Sequence, residues 1–131
     1  MRKLLFVAAS SIALIAGCSQ GDDSAVDPAV YQQTAGIYEG TLPAADCPGI
    51  RTTLYLKANK TYNRTSDYLE RGVVLDEAGE WTIDKKGIIQ MKPLKDEAYQ
   101  LEKMKDSVRF LMPDGKPIEG ELAPFYVLKK N

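Results

Sequence analysis

An all-β fold, a small up-and-down antiparallel meander closing into a barrel, is predicted for this chain from three observations. From Gly36 onward, apolar residues recur with period two. Turn-forming residues interrupt that alternation every eight to twelve positions. After the N-terminal leader no stretch carries a convincing helical pattern.

The chain opens with an export signal. Arg2 and Lys3 are the basic start, Leu4 to Ala16 is an apolar run broken only by Ser10 and Ser11, and Ile15-Ala-Gly-Cys18 closes it. The run falls short of the roughly 20 residues needed to cross a bilayer core. A cysteine after an apolar residue and two small ones is the pattern of a bacterial lipobox, so residues 1–17 are expected to be removed and Cys18 to be lipidated. Several acyl chains on one cysteine hold firmly, since each buried methylene adds about 0.8 kcal/mol. Ser19, not Asp, follows the lipid site. The expected location is therefore the outer membrane, lipid-anchored and facing the periplasm.

Residues 18–34 are polar, with Gly21-Asp-Asp-Ser24 and Asp27-Pro28, and read as a lipidated flexible tether ahead of a barrel domain over 35–131. Loss of Arg2 and Lys3 leaves 15 basic against 18 acidic side chains, a formal charge of −3. No basic cluster exceeds two neighbours, so nucleic acid is not an expected partner.

The strands follow in order. Thr52, Leu54 and Leu56 share one face, with Arg51, Thr53 and Tyr55 on the other, and Ala58-Asn-Lys60 turns the chain. Tyr62 and Tyr68 share the inner face of the next strand. The stretch from Val73 to Gly79 is interrupted by Asp76-Glu77, and Trp81 and Ile83 then alternate cleanly. Asp84-Lys-Lys-Gly87 supplies a hairpin whose glycine tolerates positive φ. Ile89 with Met91, Tyr99 with Leu101, and Val108 with Phe110 repeat the scheme. Pro113-Asp-Gly115 is a turn, and Tyr126 with Leu128 ends the series. About eight strands result, and their consecutive short hairpins favour a meander closed into a barrel, with a sandwich as the alternative. Their inner faces carry enough large side chains for a stable core, at roughly 1.5–3 kcal/mol per side chain buried.

Histidine is absent, which removes the commonest general base and metal ligand. With Cys18 lipidated, Cys47 has no partner in the chain for a disulfide. The carboxylate pairs Asp76-Glu77, Asp96-Glu97 and Glu119 with Glu121 fall in turns or on wet faces and read as solvated charge. An enzyme is not expected.

The run Gly36-Ile-Tyr-Glu-Gly-Thr41, Leu42-Pro-Ala-Ala-Asp-Cys-Pro-Gly49 and Ile50-Arg-Thr-Thr-Leu-Tyr-Leu56 resembles the N-terminal domain of NlpE-type bacterial lipoproteins. Gly79-Glu-Trp81, Asp114-Gly-Lys-Pro-Ile118 and Tyr126-Val-Leu128 continue the likeness. The family's motif carries a Cys-x-x-Cys pair; here Ala44 stands at the first position and Cys47 remains. The resemblance implies a lipocalin-like barrel and roles in copper handling, surface sensing and envelope-stress signalling through a membrane sensor histidine kinase. Some members add an OB-like second domain, for which this chain is expected to be too short.

Three readings follow. The first is a binding or sensing module acting through protein contacts, with Leu42, Pro43, Asp46, Cys47, Pro48 and Gly49 as a partner-contact loop stiffened by its prolines. The second is Cu(I) binding at Cys47, weakened because one thiolate is a poor site and Met91, Met104 and Met112 have no helpful spacing. The third is a carrier of a small hydrophobic ligand, opposed by the many interior aromatics.

Overall fold

The structure, a computed structural model, describes residues 26–131. The leader and Cys18 lie outside the described residues. Eight strands follow one another as β1 Gly36–Leu42, β2 Ile50–Leu56, β3 Thr61–Tyr68, β4 Val73–Ile83, β5 Ile88–Pro93, β6 Tyr99–Lys103, β7 Ser107–Phe110 and β8 Val127–Lys130. Each pairs antiparallel with the next. β8 returns to β1 through Tyr38↔Lys130 and Glu39↔Lys129, closing the barrel. Closure leaves no full-length sheet edge in water.

Local chemistry sets the strand ends. Pro43 follows β1 and offers no backbone donor to continue the ladder. Asp84 accepts from the amides of Lys86 and Ile88, and Gly87 adopts φ 87°, so the β4–β5 hairpin is tight. β4 is continuous through Val73 to Gly79, where the sequence is ambiguous. It pairs with β3 over Thr61↔Glu80 to Tyr68↔Val73, but with β5 only from Gly79 to Ile83. The β3–β4 hairpin therefore projects beyond its β5 neighbour.

One expectation is corrected. Residues Pro28–Thr34, at the end of the segment read as a tether, form a helix, α1. Asp27 caps it by accepting from the Ala29 amide at 2.9 Å, and Pro28 fills the first turn, where a missing N–H costs nothing. Seven residues are too few to show helical periodicity and too few to be stable alone. Docking holds the helix. Tyr31 and Thr34 are buried against the barrel, and the Tyr38 hydroxyl donates to the Thr34 carbonyl at 2.6 Å.

Strand alternation gives the barrel two distinct ends. α1 and the β2–β3, β4–β5 and β6–β7 turns share the helix end. The β1–β2, β3–β4, β5–β6 and β7–β8 connections share the other, the loop end. The helix end is closed. Tyr31 lies against Trp81, which is fully buried and donates from Nε1 to the Lys57 carbonyl at 2.9 Å. Leu54, Leu56, Tyr62, Ile83, Ile89, Met91, Leu101, Val108 and Leu128 are buried with it, as their alternation predicts. Tyr68, Tyr99, Phe110 and Tyr126, expected inside, are only half-buried, and all four lie at the loop end. Tyr38 and Leu42 join the core from β1.

Candidate functional site

Two features of this barrel stand out, one at the loop end and one in its interior. The first is the β1–β2 connection. Leu42 is buried as the last residue of β1, and Gly49 is buried where β2 begins. Pro43 and Cys47 are half-buried, while Asp46 and Pro48 are exposed. The loop is fastened to the β3–β4 turn. Arg71 Nη1 sits 3.2 Å from the Asp46 carboxylate and also donates to the Asp46 backbone carbonyl at 3.0 Å, and the Leu69 amide donates to the Gly49 carbonyl at 3.0 Å. Asp46 thus bonds a neighbouring hairpin, not the local amides of its own loop.

Beside this loop runs a groove of about 410 Å³ lined by Thr41, Leu42, Pro43, Ala44 and Pro48 on one side and Leu122 and Phe125 on the other. In the β7–β8 connection Leu122 precedes the 3-10 turn Ala123–Tyr126 and Phe125 lies within it; the two are 52% and 55% exposed. Large apolar side chains held this far into water, beside a proline-walled groove, are the usual composition of a contact surface. Sequence reasoning found one wall of the groove and missed the other. The signal available was two bulky apolar residues in a long polar connection.

Cys47 donates its thiol to the Gly49 carbonyl at 3.3 Å. Met91 is fully buried inside the barrel, and among the described residues no group of three Cys, Asp or Glu side chains comes together. The three methionines considered as thioether donors are therefore scattered: Met91 in the core, Met104 in the β6–β7 turn and Met112 beyond β7.

The second feature lies inside the barrel. Glu77, read from the sequence as solvated, is half-buried on the inner face of β4, and its Oε2 accepts from the hydroxyls of Tyr62 at 2.6 Å and Tyr99 at 2.5 Å. Its neighbour Asp76 does face water and accepts from Thr65. Burial, then the bond to Glu77, raises Tyr62 well above the ordinary tyrosine range. Burial likewise pushes Tyr99 up to about 12, partly opposed by the Arg64 cation beside it. Arg64 lies over the rings of Tyr99 and Phe110. It falls in phase with Tyr62 and Tyr68, the one clue in the sequence that it points inward.

The NlpE N-terminal domain family matches residues 38–121. A 17 kDa lipoprotein of Treponema pallidum is 39% identical over 110 residues, covering 73% of this chain and 69% of that protein. Among solved structures, a Shewanella oneidensis protein described as a lipoprotein superposes with a TM-score of 0.65 at 33% identity, covering 74% of this chain and 88% of its own. The Cpx pathway activator NlpE of Escherichia coli superposes with a TM-score of 0.60 at 28% identity, over 66% of this chain and 46% of its own. From the extent of the family match and the identity to the Treponema protein, the chain belongs to the NlpE N-terminal domain family, as a non-catalytic, membrane-associated lipoprotein of the bacterial outer membrane.

Proposed function

We propose that this protein is an envelope-sensing module whose loop end docks another envelope protein. The observation carrying this reading is the groove between Pro43, Ala44 and Pro48 and the exposed Leu122 and Phe125. Its near wall is braced by Arg71, so the surface is pre-organised and a partner pays little ordering entropy on binding. Leu42, Pro43, Asp46, Cys47, Pro48 and Gly49 form or support that wall. The E. coli relative is described as a pathway activator, which favours a partner in signalling; the family resemblance adds envelope stress as the signal and a sensor histidine kinase as the partner class. In this reading residues 1–17 are the leader, Cys18 carries the lipid, and the segment up to α1 lets a lipocalin-like barrel stand off the membrane.

The test is an envelope-stress reporter in cells carrying the full-length protein, either wild type, with Asp46–Gly49 deleted, or with Leu122→Ser and Phe125→Ser together. A photocrosslinker at position 125 gives the direct readout. Reduced signalling and loss of one discrete crosslinked product in both variants support the docking surface. Unchanged reporter output in both variants rejects it.

A further inference from the structure

Arg64 stands directly opposite Glu77 in the β3–β4 register, and both side chains face the interior. Opposite charges at such cross-strand positions ordinarily pair. Here they do not. The Glu77 carboxylate is engaged by two tyrosine hydroxyls, and none of the ion pairs among the described residues involves Arg64. The guanidinium instead lies 5.4 Å from the ring centroid of Tyr99 and 5.1 Å from that of Phe110. Its Nε is the one buried side-chain nitrogen or oxygen without a hydrogen-bond partner among the described residues. Cation–π contacts stabilise the charge but leave the Nε–H without an acceptor, and a guanidinium edge matches carboxylate and phosphate oxygens.

The surroundings limit what can bring such an anion. Toward the helix end the interior is filled by Tyr62, Trp81, Met91 and Leu101, so nothing long passes below Arg64. Toward the loop end the next inward-facing pairs are Ser66–Leu75 and Tyr68–Val73. Leu75 and Val73 are 53% and 42% exposed, because pairing with β5 ends at Gly79↔Pro93 and leaves the flank of β4 beyond it open. A cation at the floor and apolar side chains up one open flank match an amphiphile bound head inward. We propose that Arg64 holds the oxyanion head, carboxylate or phosphate, of an acyl-chain ligand whose chain lies outward along Leu75 and Val73. This ligand is independent of the docking surface above, which lies on the β1–β2 and β7–β8 connections.

The test uses residues 26–131, which carry the whole barrel, α1 and their shared core. With 15N-labelled arginine, the Arg64 Nε–H resonance is followed while octanoate, octyl phosphate or 1-octanol is added. Octanoate or octyl phosphate is expected to shift that resonance saturably, and 1-octanol to bind about tenfold or more weakly, as loss of a charge-assisted contact implies. Tighter binding of one anion over the other separates a fatty-acid source from a phospholipid-like one. Arg64→Gln is expected to weaken binding of the anion by about tenfold or more, and Arg64→Lys to restore part of it. An unmoved Nε resonance, equal binding of 1-octanol, or equal binding by Arg64→Gln overturns the proposal. If Arg64→Gln does not fold, the wild-type resonance and the comparison of octanoate with 1-octanol decide alone.

Discussion

The ring of Tyr31 lies 4.9 Å from that of Trp81, tilted by 49°. A residue outside the barrel and one at its base thereby form a single contact across 50 residues of sequence. The Ile83 amide also donates to the Tyr31 hydroxyl at 3.3 Å. Through these two links α1 becomes the floor of the barrel.

Tyr31→Ala is expected to lower unfolding free energy by about 3 kcal/mol, since a buried aromatic is lost and the helix has no other large anchor. Tyr31→Phe removes only the acceptor for the Ile83 amide and should cost about 1 kcal/mol. Urea titration measures both. Trp81, the single tryptophan of the chain, reports the opened floor as a red-shifted emission for the alanine variant only.

Gly79 is required by space. A Cβ there would lie 2.8 Å from the Pro93 Cα and nearer still to the Lys92 carbonyl, where β4 and β5 meet. Gly79→Ala is expected to destabilise by about 2–3 kcal/mol, because backbone and not a mobile side chain must yield. Gly72, with open space around it, sits at φ 66°, so the cost of Gly72→Ala comes from backbone strain alone, about 1 kcal/mol. Thermal melts of the pair separate crowding from strain.

Replacing Glu77 tests the inner hydrogen bonds. Glu77→Gln keeps an acceptor for one or both tyrosines and should cost about 1 kcal/mol. Glu77→Leu strands two hydroxyls and should cost about 2–4 kcal/mol. Equal effects of the two substitutions, read by chemical denaturation, would show that the hydrogen bonds contribute nothing beyond shape.

Alkaline stability follows from the tyrosines. Burial, with the Asp106 charge adding to it, pushes Tyr38 up to about 12, the value reached by Tyr99 as well. Tyr62 is raised further. A folded-state pKa above the unfolded value of 10 stabilises fully below pH 10, and that contribution is lost as pH rises through the folded value. Stability is therefore expected to hold up to about pH 10 and to fall between about pH 10 and 12, by at most about 1.4 kcal/mol per pH unit for each tyrosine. The share of tyrosinate absorbance that belongs to Tyr38, Tyr62 and Tyr99 should appear together with unfolding, not before it.

The Asp46–Arg71 pair is expected to shape the loop more than to stabilise the fold. Both side chains are well exposed, so Asp46→Ala should change unfolding free energy by about 0.5 kcal/mol or less. Faster amide exchange at Cys47 and Gly49 in that variant would register the released loop.

Period-two alternation between Gly36 and Leu128 determined the strand number, the turns at Asp84–Gly87 and Pro113–Gly115, and most of the core, because each side chain's face follows from local pleating alone. The run from Leu42 to Gly49 likewise marked the family and one wall of the groove. Tertiary structure decided the rest. α1 is too short to announce itself and exists through its contact with Trp81. Glu77 looks like surface charge until the hydroxyls of Tyr62 and Tyr99 meet its carboxylate inside the barrel, and Phe125 becomes a wall only when barrel closure brings the β7–β8 connection beside Pro43. Such relationships depend on pairing between residues far apart in the chain, which no local pattern encodes.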